Sequence, residues 1–152
     1  MKNDKQHGDV LMTVGGSLAA LSSVLVFFVS LVSAGIMFYS LDIGRVSKAF
    51  GIAGYDVRGI VLAVSSTLVI LSLIGYFLGV RARLYSRRAA LASALLHAGF
   101  CAFVLTMILR QPRILTAPYF FPDSLVLSVA VLSPVASVLC LMGYLQDKRV
   151  ND

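Results

Sequence analysis

Glutamate is absent from this chain, and aspartate, lysine and arginine are absent from four long stretches of it. A carrier that couples to protons or cations normally keeps an ionisable side chain at membrane depth for its cargo to visit. Without one, that mechanism is disfavoured. Paired intramembrane carboxylates are also missing, since Asp42, Asp56 and Asp123 fall in or beside connecting loops. Asp42 and Asp56 lie near Arg45 and Arg58, where weak solvated ion pairs are expected. The only two cysteines, Cys101 and Cys140, sit deep in apolar sequence. They exclude a disulfide framework and carry no information about redox compartment. Gly-x-Gly-x-x-Gly, P-loop, Cys-x-x-Cys, His-Glu-x-x-His and Gly-x-Ser-x-Gly motifs are each missing, so the chain is read as a non-enzyme.

What remains is apolar. At 152 residues, 59% hydrophobic and 13% charged, the chain has more apolar surface than a water-soluble fold of this size can bury. Cutting it at its charges leaves Val10 to Leu41, Gly59 to Val80, Ala89 to Leu109 and Ser124 to Gln146, which hold 32, 22, 21 and 23 residues. Each reaches the roughly 20 residues that cross a hydrocarbon core of about 30 Å. Backbone polar groups in lipid must be satisfied within the segment, so each is a helix. The expected fold is an all-α integral membrane protein. Its four transmembrane helices, at about 12–39, 59–80, 89–109 and 124–145, form one compact bundle and one domain over residues 1–152. The first run is long enough that it should tilt or carry its first turns out of the bilayer near Gly15-Gly16. Val32-Ser33-Ala34 loosely fits a signal-cleavage site, but the run far exceeds a signal core of about 7 to 15 residues, and an uncleaved anchor helix is expected.

The basic residues set the orientation. Lys2 and Lys5, the connection with Arg81, Arg83, Arg87 and Arg88, and Lys148 and Arg149 share one side, eight in all. Arg45, Lys48, Arg58, Arg110 and Arg113, five in all, share the other. The richer side is expected in the cytoplasm, with both termini and residues 81–88, and the cell membrane is the expected location. The formal net charge of +6 then faces anionic headgroups rather than nucleic acid. On the opposite side, Asp42 to Arg58 holds Phe50, Tyr55 and several glycines and is expected to lie along the interface, broken near Gly51. The next outer loop ends in Pro118-Tyr119-Phe120-Phe121-Pro122, an expected membrane-depth anchor. Asp123 is placed to cap the fourth helix.

Helices in lipid associate through small residues, and each span carries a ridge of them. The first has Gly15 and Ala19 leading to Ser23, beside Gly16 and Ala20. The second has Gly75 and Gly79 after Ser72. The third has Ala90, Ala94, Ala98 and Ala102, and the fourth has Ala130, Ser133, Ser137 and Cys140 around Pro134. These ridges are read as helix-packing positions. Pro134 is expected to kink its helix about a turn back, near Ala130, with Ser133 and Ser137 taking up part of the freed hydrogen bonding.

His97 is the one ionisable side chain near mid-membrane, with Ser93 and Cys101 a turn away on either side of it. Three roles fit: a hydrogen bond to a Ser, Thr or backbone carbonyl of a neighbouring helix; an axial ligand to haem or a pigment; or a proton or metal site with Cys101. The first leads because no second membrane histidine completes a haem site, His7 lying in the polar N-terminal segment, and Met107 and Met142 read as filler. No cofactor is therefore predicted. The expected function is a non-catalytic accessory subunit packed against other integral membrane subunits or itself. A small channel or carrier for a neutral or lipidic solute, or an electron-transfer subunit using His97, are the alternatives. The orientation gives the first prediction. A cysteine introduced at Ser86 should react with an impermeant reagent only from the cytoplasmic side, and one at Thr116 only from outside; the reverse pattern contradicts it.

Overall fold

The computed structural model describes residues 2–39, 54–84, 86–110 and 123–151. All the regular structure among them is helical: α1 (Lys2–Tyr39), α2 (Gly54–Arg83), α3 (Arg87–Arg110) and α4 (Asp123–Asn151). Each contains a stretch long and apolar enough to cross a membrane: Gly8–Val32, Leu62–Arg83, Arg87–Thr106 and Leu127–Asp147. The helices outrun the uncharged segments, most clearly in α1, whose 38 residues reach roughly 57 Å at about 1.5 Å each. A charge marks where the chain can leave hydrocarbon, not where it stops being helical. The basic connection is accordingly short. Arg81 and Arg83 end α2, Arg87 and Arg88 begin α3, and the Ser86 carbonyl accepts the Ala90 amide as the first bond of α3. The outer loops and the Asp123 side chain, on which the interface-helix, aromatic-anchor and capping readings rest, lie outside what the structure describes.

Successive helices run antiparallel. α1 packs on α2 and α4, α3 packs on α4 and less extensively on α2, and α1 touches α3 across the middle. The interior is unlike that of a soluble protein. Its largest fully buried side chains are Met12, His97 and Cys140, followed by serines, whereas Phe28, Phe77, Leu95 and Val131 face outward. Water would drive those apolar groups inside, but lipid tails are as apolar as leucine and leave close packing to select the interior. The hydroxyls do not reverse this. Thr13, Ser17, Ser30, Thr67 and Thr106 each donate to the carbonyl four residues back, so none is left unpaired in hydrocarbon.

Two adjacent glycines let α1 meet two helices at once. Neighbouring helical residues point about 100° apart, so Gly15 faces α4 while Gly16 faces α2. A Cβ on Gly15 would lie 2.8 Å from the Cys140 amide nitrogen, and one on Gly16 would lie 2.6 Å from both the Gly79 carbonyl oxygen and the Arg83 amide nitrogen. Gly79 repeats the contact in reverse, 2.7 Å from the Ala20 nitrogen. Here backbone meets backbone, with no flexible side chain to give way. Gly15 and Gly16 thus lie within the apolar span of α1, at close contacts with α4 and α2.

Gly16→Val should therefore destabilise the protein by about 1–3 kcal/mol, as overpacking of close contacts does. Gly35→Ala, where an added Cβ meets nothing within 4 Å, should leave stability unchanged. Denaturant unfolding in mild detergent measures both, and equal behaviour of the two variants contradicts the packing described.

Candidate functional site

His97 is fully buried where α1, α2 and α3 come together. Its position follows from the α3 sequence: Ala90, Ser93, Ala94, His97 and Phe100 recur at helical spacing, and all five are buried. Nδ1 lies 2.8 Å from the Ser93 carbonyl oxygen, one turn back on the same helix. Nε2 reaches α1, at 2.9 Å from the Ala19 carbonyl oxygen and 3.2 Å from Ser23 Oγ. The Phe100 ring meets the imidazole edge-on, with centroids 5.5 Å apart. A neutral imidazole carries one N–H. With that proton on Nδ1, the ring donates to Ser93 and accepts from the Ser23 hydroxyl; with it on Nε2, the ring donates to Ala19. Either tautomer bonds across to α1, but only the Nδ1–H form satisfies both nitrogens well, since in the Nε2–H form Nδ1 can accept only from Ser93 Oγ, 3.5 Å away.

Glycine makes room for this contact from the second helix. A Cβ on Gly75 would fall 2.5 Å from Ser23 Oγ and 3.1 Å from Leu96 Cδ2. Only a residue without a side chain lets α2 pass behind the hydroxyl that meets His97. Two further buried polar contacts knit α4 into the same layer. Ser22 and Ser133 share a 2.8 Å hydroxyl–hydroxyl bond between α1 and α4, and Ser137 donates to the Ala94 carbonyl of α3 at 2.8 Å. Ser133 and Ser137 thus engage neighbouring helices rather than serving only their own backbone beside Pro134, which lies inside a continuous α4.

The other sequence-predicted positions divide. Gly15, Ala19, Gly75, Gly79, Ala90 and Ala94 are buried, and Ser137 is half-buried. Ala98 and Ala102 are exposed, so the third-helix ridge is not one continuous contact within the chain. The cause is geometric. Four residues advance a helix by slightly more than a turn, so an i, i+4 row drifts by about 40° each step. After Ala94 the buried face passes to His97 and Phe100. Cys101 is partly exposed and supplies none of the ring's hydrogen bonds. Among the described residues no three His, Cys, Asp or Glu side chains gather closely enough to hold a metal.

Away from the histidine, α2 and α3 leave between them an open groove of about 500 Å³, lined by Ala63, Thr67 and Leu71 on one side and Leu96, Gly99 and Phe103 on the other. At the basic end, Arg87 Nε lies 3.6 Å from Asp147 Oδ2 and the guanidinium sits 5.4 Å from the centre of the Tyr144 ring, joining α3 to α4. Sequence reasoning missed this pairing; Asp147, the one acidic residue at the end of the fourth apolar segment, was its signal. Comparison of the chain with protein-family models, with curated proteins and with solved structures finds no match.

The ring's partners predict how its loss behaves. His97→Gln keeps an amide donor near Ala19 and Ser23, so it should fold and assemble normally. Its cost should be that of one interhelical hydrogen bond in a membrane, about 0.6 kcal/mol and at most roughly 1.7. His97→Leu, which leaves the Ser23 hydroxyl without its ring partner, should cost more. An absorption band present in the parent and lost in the Gln variant would instead mark a cofactor ligand.

Proposed function

We propose that this chain is a non-catalytic accessory subunit of a membrane protein complex. It sits as a compact four-helix bundle in the cell membrane, with its termini and residues 81–88 in the cytoplasm. The observation that carries this reading is the outward-facing small-residue surface beside the α2–α3 groove. Ala98, Gly99 and Ala102 on α3 and Ala63 on α2 are exposed, and a Cβ on Gly99 would meet nothing within 4 Å. Elsewhere the exposed surface carries large side chains such as Phe77 and Val131, each more than 60% exposed. Bulky residues suit contact with lipid tails, while small ones admit another helix's backbone. The small-residue face is therefore read as the seat of a helix from another subunit.

The histidine supports the same reading. Nε2, a nitrogen that an axial ligand would use, is 2.9 Å from the Ala19 carbonyl and 3.2 Å from Ser23 Oγ. Read as an internal tie between helices, the imidazole supports the accessory-subunit reading over the electron-transfer alternative. The bilayer orientation rests on the eight-to-five division of basic residues.

The test is assembly. Released from its own membrane in mild detergent, the chain should migrate at a mass well above that of one copy in its detergent belt. Gly99→Leu should return it to the single-copy mass without lowering its unfolding midpoint, because an added Cβ at position 99 meets nothing within 4 Å. A parent that is already a single copy, or a Gly99→Leu variant that assembles normally, contradicts the proposal.

A further inference from the structure

We propose that the cleft between the basic ends of α3 and α4 holds one anionic phospholipid. The cleft, of about 410 Å³, is lined by Arg87, Arg88 and Tyr144 at its mouth and by Leu91, Ala92 and Leu95 along its floor. Apolar spans end at this level on both helices, at Arg87 on α3 and at Asp147 on α4, so the guanidiniums stand at headgroup depth. Arg87 is held in position by Asp147 and by the Tyr144 ring. Asp147 offsets its charge but occupies only part of a donor fork with five N–H groups. Arg88, the next residue, is exposed and brings a full positive charge to the same mouth. Two adjacent guanidiniums match the oxygens of a phosphodiester, which accept their hydrogen bonds in pairs.

The floor decides between a lipid and a soluble anion. Leu91, Ala92 and Leu95 lie three, four and seven residues beyond Arg88, or roughly 5 to 10 Å deeper into the apolar layer. A free phosphate would leave that floor uncovered, whereas the acyl chain of a bound lipid lies along it. Leu95 is 68% exposed and is the apolar surface such a chain would cover. Charge complementarity selects an anionic headgroup, since the cleft mouth carries two arginines, Arg87 and Arg88, and among its lining residues no acidic side chain.

Native mass spectrometry of the intact chain in mild detergent, titrated with phosphatidylglycerol or phosphatidylcholine of identical acyl chains, tests this directly. The parent should retain one phosphatidylglycerol and bind phosphatidylcholine several-fold more weakly. Arg88→Gln should weaken phosphatidylglycerol binding about fivefold, the effect of one surface cation on an anionic lipid. Arg81→Gln removes the same charge from an exposed residue outside the cleft lining and should change it by less than about twofold. Ala92→Phe, which fills the cleft without altering charge, should also abolish the one-lipid adduct. Leu95→Ser repeats that arm at an exposed position, where folding is not at risk. Equal losses for Arg81→Gln and Arg88→Gln would mean diffuse attraction to a basic surface and would overturn the proposal. So would equal binding of the two lipids, or unchanged binding in both floor variants.

Discussion

The whole arrangement depends on α1 lying within backbone distance of two helices at once. Gly15 against Cys140 and Gly16 against Gly79 and Arg83 fix the height and rotation of α1 between α4 and α2. In water, burial of large apolar side chains would carry most of the stability. Between helices in lipid that driving force is largely absent, so association rests on dispersion across close surfaces and on hydrogen bonds shielded from water. Glycine, alanine and serine serve both, because they let the axes approach and bring few polar groups that need partners.

Once α1 is set, the polar layer follows. Ala19 and Ser23 lie three or four and seven or eight residues beyond the two glycines, on the faces turned inward, and this presents one carbonyl and one hydroxyl to His97. Ser22, one residue earlier, turns to Ser133 on the other side. A single helix thus places one hydroxyl toward α3 and the next toward α4. Gly75 then decides whether α2 can close behind Ser23. The histidine, unusual at that depth, becomes a tie rather than an orphan because each of its nitrogens has a partner within the protein.

Much of this was legible in the residues. The four helices follow from where Asp, Lys and Arg are missing, since charge at membrane depth is costly enough to dominate any local preference. His97 stands out for the same reason, and its sequence context favours a Ser, Thr or backbone carbonyl of a neighbouring helix as its partner. Its particular partners were not legible: the Ala19 carbonyl carries no side-chain signal, and Ser23 is one of several serines on α1. Nor was the rotation of α3. Ala90 and Ala94 belong to the buried face, but Ala98 and Ala102 do not, because a row of alanines looks continuous in sequence while the helix turns under it. Only the neighbouring helices determine which part of the row is covered. Pro134 taught the same lesson, as Ser133 and Ser137 bond across to α1 and α3.

The claim that α1 is locked in a single register is tested most directly by a cross-link inside the interface. Ser22 and Ser133 have hydroxyl oxygens 2.8 Å apart in a fully buried contact. In a chain with Cys101 and Cys140 replaced by alanine, Ser22→Cys and Ser133→Cys together should oxidise in the membrane to an intramolecular disulfide in high yield. Moving the first cysteine to the exposed Val24 should abolish it. Efficient cross-linking from Val24, or none from Ser22, would contradict the register on which the polar layer and the His97 tie both rest.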